Sequence, residues 1–323
     1  MNDHHGLDGV GAIFSQPGLN RVGIDAMAPI TRDEIDDDAE LFRHRLPQCC
    51  ELPGLEHQHA IAGRERERAL EVALGTVRVA ATTEVDKRYA RIPHQAELSL
   101  DPAAAYVHMT SNNTLFGTQW HWLPEVGKVP LIADMSSDFM WRKIDVGKFD
   151  MIYAGAQKNI GPSGVVVVIA KKDFIAGGRK DLPTIFQYRV AAENNSLYNT
   201  PPTFGIYLIR NVLSWVKKEG GLDEMERRNR EKGRLLYGVI DAHAGFYSCP
   251  VEPKSRSLMN IVFRLPSEEL EDKLIAEAKK HKMVGLKGHR SVGGIRVSAY
   301  NAVTVDWMKQ LTDFMSAFAK TNG

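Results

Sequence analysis

Three short segments of this sequence place polar and ionisable side chains directly after predicted strands. They are residues 111–114 (SNNT), residues 134–138 (DMSSD) and the run AGAQKN, which contains Gln157 and Lys158. In open α/β sheets, ligands bind beyond the carboxyl ends of the strands, so these loops should meet at one edge. The sequence therefore predicts a site that combines a carboxylate, a lysine amine, and amide or hydroxyl donors.

An amine nucleophile beside a fixed carboxylate is what pyridoxal phosphate requires. The lysine bonds covalently to this cofactor, and the carboxylate pairs with the protonated ring nitrogen so that the ring can accept electrons. Spacing alone also fits a simpler interpretation, in which Lys158 is a surface lysine and Asp134 is a helix cap. On spacing alone, the simpler interpretation is preferred.

The predicted strands that lead into these loops are short and apolar. Residues 77–80, 105–110 and 130–134 each show a strand pattern, and residues 165–170 form an uninterrupted apolar run. Such a run is typical of a strand that is buried on both faces. Strands of this kind belong in a sheet that is covered by helices.

The second half of the chain alternates between predicted helices and strands. A helix is predicted to begin near Thr203, a candidate N-cap, and to end before Gly220 and Gly221. Its apolar face comprises Phe204, Tyr207, Leu208, Val212, Trp215 and Val216. A highly charged helix follows, and then a compact α+β unit; the predicted ranges are helix 222–243, strand 260–264, helix 267–280, strand 294–300 and helix 305–319.

Residues 1–75 differ from the rest of the chain in composition and periodicity. They contain five of the 11 histidines, an acidic run and the adjacent Cys49 and Cys50, and their apolar periodicity is poor. A charged stretch at 64–74 is the one plausible helix, so no fold is assigned to this tract. Cys49, Cys50, His57 and His59 fit no standard zinc spacing, which predicts no metal site.

Composition excludes several classes of protein. The 41 Lys and Arg residues nearly balance the 40 Asp and Glu residues, so no global field favours nucleic acid or an anionic membrane. Three cysteines suit a reducing compartment, and the start MNDHHGLDGV lacks the pattern of a signal peptide. The longest apolar run is far shorter than the roughly 18 residues of a membrane helix. We therefore expect a soluble cytoplasmic protein.

Six segments, in one order, resemble phosphoserine aminotransferase, a class-V transaminase of fold type I that uses pyridoxal phosphate. They are YARIP, AAAYVHMTSNNTLFGTQW, IADMSSDFMWRKIDV, YAGAQKNIGPSG, LYNTPPTFGIY and GHRSVGGIRVSAYN, and they extend from about Thr76 to the C-terminus. The resemblance implies an α/β fold, with a mostly parallel sheet between helices and a small C-terminal α+β domain. The expected division is an atypical tract at 1–75, a partial cofactor-binding domain at 76–221, and a linking helix with the small domain at 222–323.

The resemblance also implies which residues hold the cofactor. Lys158 would carry pyridoxal phosphate and move the proton between the substrate α-carbon and the cofactor. Asp134 would hold the pyridine nitrogen. Thr114 and Gln157 would donate hydrogen bonds at or near the ring oxygen.

Further roles concern the substrate and a second subunit. The family builds each site across a homodimer interface, so Asn199 and Thr200 would reach the cofactor phosphate of the partner subunit. His289 and Arg290 would bind the substrate phosphate, and Arg296 would bind the α-carboxylate. Arginine suits both groups because its planar fork binds them bidentately.

The implied reaction exchanges the amino group between O-phospho-L-serine and 2-oxoglutarate in L-serine biosynthesis, and the family also acts on a phosphorylated threonine analogue in pyridoxine biosynthesis. The family's usual N-terminal motifs are not recognisable before Thr76: a substrate-binding His-Arg pair, a phosphate loop and a ring-stacking tryptophan. Two alternatives therefore stay open. One is a catalytically impaired or inactive truncated homologue that acts only as a folded dimer or partner, and the other is a different class-V transaminase or lyase.

Overall fold

The computed structural model describes residues 10–15 and 77–323. Its largest sheet has five strands in the order β1-β7-β6-β5-β4, and two further pairs, β2-β3 and β8-β9, form separate ribbons. The strands are β1 (Val10–Ser15), β2 (Glu84–Val85), β3 (Arg88–Tyr89), β4 (Val107–Thr110), β5 (Leu131–Asp134), β6 (Met151–Gly155), β7 (Val166–Lys171), β8 (Asn260–Phe263) and β9 (Ile295–Ser298).

Six α-helices lie between and after these strands in the described part of the chain. They are α1 (Lys172–Ala176), α2 (Tyr188–Glu193), α3 (Thr203–Lys218), α4 (Gly221–Ala242), α5 (Glu268–Lys280) and α6 (Val305–Asn322). Short 3-10 helices occur at Gln95–Glu97, Val146–Lys148, Thr184–Phe186 and Pro253–Ser255. No described helix is both long enough and apolar enough to cross a membrane.

The five-stranded sheet is mixed and has helices on both faces. Strands β4, β5 and β6 are parallel, whereas β7 runs antiparallel to both β6 and β1. Phe174 of α1 and Ala191 of α2 pack on one face, against Ile132 and Val168. Ile209 of α3 packs on the other side, in a cluster with Val167. The α/β class expected from the sequence is confirmed.

The C-terminal unit has its own core between the β8-β9 ribbon and three helices. Leu236 of α4, Leu274 of α5 and Met315 of α6 have no exposed surface and pack against Ile261 of β8. Ser267 caps α5 by accepting a hydrogen bond from Leu270 N, which fixes where that helix begins.

Most predicted elements of the second half are observed within a few residues of their predicted bounds, and the differences have local causes. Residues 77–80 form no strand, because the Ala80 carbonyl accepts from Ser99 N in a loop instead of joining a ladder. The strand before AGAQKN, whose bounds the sequence pattern does not define, is β6. The run at 165–170 is observed as β7, which runs antiparallel to both of its neighbours. A strand that is buried on both faces shows the same apolar run in either direction, so the sequence pattern does not indicate this.

Helix α3 buries only part of the face that the sequence predicts. Thr203 is its first residue, and the N-cap position belongs to Pro202. Phe204 and Tyr207 are 73% and 52% exposed, while Ile209 and Val216 are the buried positions. The apolar face of α3 is therefore wider than the part of the helix that packs against the described residues.

The sequence predicts no fold for the tract at 1–75, and the structure describes one element in it, strand β1. It pairs with β7 from Val10 opposite Lys171 to Ser15 opposite Val166. The predicted helix at 64–74 and the cluster of Cys49, Cys50, His57 and His59 lie outside the described residues. The three-part division of the chain stays a prediction.

Candidate active site

The three polar loops meet because their strands are neighbours in the sheet. Thr110, at the end of β4, lies opposite Asp134 at the end of β5, and Asp134 lies opposite Tyr153 of β6. Parallel strands end at the same edge, so the segments after β4, β5 and β6 start side by side. This is the arrangement that the sequence predicts.

Lys158 lies in the loop after β6 and contacts the loop after β4. Its Nζ donates a hydrogen bond to Thr114 Oγ1 at 2.8 Å. Burial lowers the pKa of the Lys158 amine, the nearby Asp134 carboxylate opposes this shift, and the Arg296 guanidinium adds to it. A lowered pKa increases the fraction of neutral, nucleophilic amine near pH 7.

Asp134 has one satisfied and one unsatisfied carboxylate oxygen. The residue is 2% exposed, and its Oδ1 accepts a hydrogen bond from Ser136 N at 2.8 Å. Its Oδ2 is buried and has no hydrogen-bond partner within the described residues. A buried carboxylate oxygen without a donor is costly, so Asp134 offers a ready acceptor to a cationic ring nitrogen.

Gln157 lies at the rim of this arrangement. Its side chain is exposed and folds back over the end of β6. A Cβ at Gly155 would lie 2.6 Å from Gln157 Oε1, so the end of this side chain lies directly over Gly155. Gln157 and Thr114 therefore flank Lys158 from its own loop and from the neighbouring loop.

A buried polar network behind the loops connects them to the C-terminal unit. Asp138 accepts hydrogen bonds from Ser111 Oγ and, at 3.0 Å, from Gln119 Nε2. Gln119 Oε1 in turn accepts from Leu258 N at 2.9 Å. The sequence did not identify Asp138 or Gln119 as site residues, although Asp138 ends the DMSSD run.

Asp138 makes the free energy of unfolding depend on pH. Burial is the main cause that raises the pKa of this carboxyl from 3.8 to about 6. Between these values the folded protein keeps the proton and the unfolded chain has lost it, so raising the pH from about 4 to 6 favours unfolding. The full effect is about 3 kcal/mol. We expect Asp138→Asn to remove this dependence in urea titrations at several pH values; parallel pH profiles for both proteins would contradict it.

The other predicted site residues differ in whether they interact with Lys158. Arg296 is on β9, and it is close enough to lower the pKa of Lys158. His289 and Arg290 lie in the turn before β9, where His289 Nδ1 hydrogen-bonds Ser291 Oγ at 2.7 Å and Arg290 is exposed. Within the described residues, no hydrogen bond or ion pair joins this turn to the Lys158 loop.

Asn199 and Thr200 are exposed in the segment between α2 and α3. They too make no hydrogen bond to the Lys158 loop within the described part of the chain. The structure thus brings Thr114, Asp134 and Lys158 together with Arg296, and it leaves the two predicted phosphate-binding groups at the surface. Also within the described part, no cluster of three His, Cys, Asp or Glu side chains is placed to hold a metal ion.

Comparison with known proteins gives consistent matches over most of the chain. The family model for class-V aminotransferases matches residues 57–311, so the similarity begins upstream of Thr76. Phosphoserine aminotransferase of Lysinibacillus sphaericus is 51% identical over 262 residues, which cover 80% of this chain and 72% of that protein.

Solved structures agree with these matches. Phosphoserine aminotransferase from Bacillus circulans subsp. alkalophilus aligns with a TM-score of 0.80 and 41% identity, covering 98% of this chain and 82% of that one. The pyridoxal-phosphate-bound enzyme from Trichomonas vaginalis aligns with a TM-score of 0.76 and 29% identity, covering 95% and 82%. The fold described above is therefore that of enzymes whose chains are moderately longer.

Proposed function

This chain belongs to the class-V aminotransferases, and within them to the phosphoserine aminotransferase family, and we propose that it exchanges the amino group between O-phospho-L-serine and 2-oxoglutarate. The observation that carries this proposal is the unsatisfied Asp134 Oδ2 at the edge where Lys158 lies. That pair favours an active enzyme over an inactive homologue. The role is a step of L-serine biosynthesis; the role in pyridoxine biosynthesis and the cytoplasmic location stay predictions.

The cofactor is pyridoxal phosphate, and the residues present fit it. When bound, it supplies an aldehyde and an electron-withdrawing ring. Asp134 Oδ2 would accept a hydrogen bond from the protonated ring nitrogen and compensate its charge. Thr114 and Gln157 would hold polar groups of the ring from the two loops beside Lys158.

Lys158 is the residue that carries out proton transfer in this proposal. Thr114 Oγ1 fixes the direction of its amine, and burial keeps the pKa of that amine below the ordinary value. A positioned amine of this kind would take the proton from the substrate α-carbon and deliver it to the cofactor. Nearby Asp134 limits the pKa shift, so the amine can be protonated and deprotonated during one turnover.

Three cationic groups would recognise the substrate. Arg296, beside Lys158, is suited to the α-carboxylate that phosphoserine and glutamate share. His289 and Arg290, in the turn before β9, would bind the phosphate, which carries about −1.5 to −2 charges near neutral pH. This division of roles would let one site accept both substrates while preferring a phosphorylated one.

Replacing Arg290 tests the phosphate site directly. A hydrogen bond to a charged group contributes about 1.5–3 kcal/mol, so Arg290→Ala should lower kcat/KM for phosphoserine by roughly 10- to 150-fold. The value for glutamate should change little, because glutamate has no phosphate. Lys287→Ala is the matched control, since this exposed cation lies in the same turn and pairs with Asp272. Equal losses for phosphorylated and unphosphorylated amino acids would exclude this role.

We further propose that the site is completed by a homodimer. Asn199 and Thr200 are exposed in a single chain, and large apolar side chains are exposed close to them in sequence. These side chains are Leu197, Tyr198, Phe204 and Tyr207. Exposed apolar and aromatic side chains of this kind favour protein association. Asn199 and Thr200 would then reach the partner subunit's cofactor phosphate.

A charged substitution within this apolar group should separate the subunits. Phe204→Glu is expected to give a monomer in light scattering and to weaken cofactor binding, because no second chain then contacts the cofactor phosphate. Trp307→Glu is the control: this residue is 60% exposed but lies on α6, in the C-terminal unit. A wild-type protein that is fully active as a monomer would rule out the shared site.

A further inference from the structure

Helix α4 buries a lysine completely. Lys232 has no exposed surface, and its Nζ donates hydrogen bonds to the carbonyl oxygens of Ala299 and Tyr300, both at 2.8 Å. Burial lowers the pKa of Lys232 to about 7, and the charged neighbour Arg228 lowers it further. No carboxylate within the described residues forms an ion pair with it.

Stability does not explain this lysine. Burying an amine without a counter-charge is costly, and an apolar side chain of similar size would fill the same space at lower cost. What an apolar side chain could not do is bond the two carbonyls that follow β9. The specific effect of Lys232 is therefore to fix the position of the chain at Ala299 and Tyr300.

That position is also tied to the Lys158 loop. Asn301 N donates to Asn159 Oδ1 at 2.9 Å, and Asn159 directly follows Lys158. Asn159 Nδ2 donates to Phe139 O, and Asn229 Nδ2, one turn before Lys232, donates to Asn301 Oδ1 at 2.8 Å. Residues 299–301 therefore contact α4 on one side and the Lys158 loop on the other.

Arg296 lies on the strand that ends at this point. Pairing with β8 fixes Arg296 within the ribbon, opposite Val262, but it does not fix the ribbon relative to the Lys158 loop. The contacts beyond the strand, at Ala299 to Asn301, link it directly to that loop, in addition to the hydrogen bond from Asn112 Nδ2 to Asn260 Oδ1 on β8. Arg296 is only three residues before Ala299, so a shift of that segment would move its guanidinium relative to the Lys158 amine.

We propose that Lys232 is a positioning residue for Arg296, holding the end of β9 so that the guanidinium and the Lys158 amine face one substrate carboxylate and its α-carbon. This inference rests on the proposed role of Arg296. A displacement of about 1 Å can reduce catalysis by about 100-fold, so two hydrogen bonds that set the position of Arg296 can matter as much as a direct contact with the substrate.

The test compares two non-reacting probes on the cofactor-loaded protein. 3-Phosphoglycerate has the carboxylate and phosphate of the substrate but no amino group, and inorganic phosphate lacks the carboxylate. Lys232→Met keeps the length and volume of the side chain and removes the donors. Calorimetry should show a roughly 10- to 100-fold weaker affinity for 3-phosphoglycerate, the loss expected when a hydrogen bond to its charged carboxylate is lost, and an unchanged affinity for inorganic phosphate. Equal weakening of both probes, or of neither, would overturn the proposal.

A matched control and a double mutant separate this inference from its premise. Arg234→Met removes one positive charge two residues along α4, where Arg234 is exposed and pairs with Glu231, and should leave both affinities unchanged. Arg296→Ala should weaken 3-phosphoglycerate alone, and adding Lys232→Met should cause no further loss. Independent, additive losses would overturn the positioning role. If Arg296→Ala had no effect, the proposed role of Arg296 would fail first.

Should Lys232→Met not fold, as judged by circular dichroism, Lys232→Gln provides the second variant. Its amide keeps a polar donor group but has a shorter reach, so it should weaken 3-phosphoglycerate to a smaller extent. A folded Lys232→Gln protein that binds the probe as tightly as wild type would overturn the proposal.

Discussion

Lys158→Ala is expected to reduce the rate of amino-group transfer by about 10⁴-fold or more, because the variant lacks both the covalent attachment point and the proton-transferring amine. Proton transfer by a positioned side chain alone contributes up to about 10⁴-fold. The Lys158 amine is held by Thr114 and has a pKa lowered by burial, so no exposed lysine can substitute for it. Steady-state assays with phosphoserine and 2-oxoglutarate measure the effect.

The site of attachment can be identified independently of activity. Borohydride reduction of the cofactor-loaded protein should fix the cofactor on the peptide that contains Lys158, as seen by mass spectrometry. Lys143→Ala is a suitable control, since Lys143 is exposed and pairs with Asp223 on the surface. A stable adduct on any other lysine would contradict the assignment, whatever the activity of the variant.

Asp134→Asn is expected to have the second largest effect. The substitution preserves the shape of the side chain but removes the charge that would compensate a protonated ring nitrogen. Truncating one member of a buried charge pair costs about 2–5 kcal/mol. That range corresponds to a roughly 30- to 5000-fold lower rate. Cofactor binding, followed by spectrophotometric titration, should weaken as well.

Asp145→Asn is the control for this variant, because Asp145 makes the same hydrogen bond to the backbone at an exposed position. Asp145 Oδ1 accepts a hydrogen bond from Gly147 N, two residues on, just as Asp134 Oδ1 accepts from Ser136 N. Asp145 is exposed, so Asp145→Asn should leave activity unchanged. If Asp134→Asn and Asp145→Asn retained the same activity, Asp134 would have only a structural role in its turn.

The sequence predicts the C-terminal elements well because their periodicity is long and their ends are marked by capping residues. The predicted helix 267–280 is observed as α5, one residue shorter because Ser267 is its cap. The sequence does not predict strand direction. The apolar run at 165–170 is buried in either direction, and only the structure shows that β7 is antiparallel.

The site was predictable in part. The three loops follow from strand ends, whereas spacing alone favours a surface role for Lys158, and the individual roles follow only from resemblance to a family. The contact between Asn159 and Asn301 joins residues 142 positions apart and leaves no local pattern. Lys232 lies in a highly charged helix, where a lysine is normally solvated, so its burial could not be inferred from its neighbours.

A single-turnover reaction tests the central claim most directly. The protein would be loaded with pyridoxal phosphate and mixed with O-phospho-L-serine in the absence of 2-oxoglutarate, and the keto acid would be quantified. We predict one 3-phosphonooxypyruvate per cofactor-loaded chain, with loss of the yellow colour, and far slower reaction with L-serine. A protein that carries the cofactor on Lys158 but releases no phosphorylated keto acid would contradict the account.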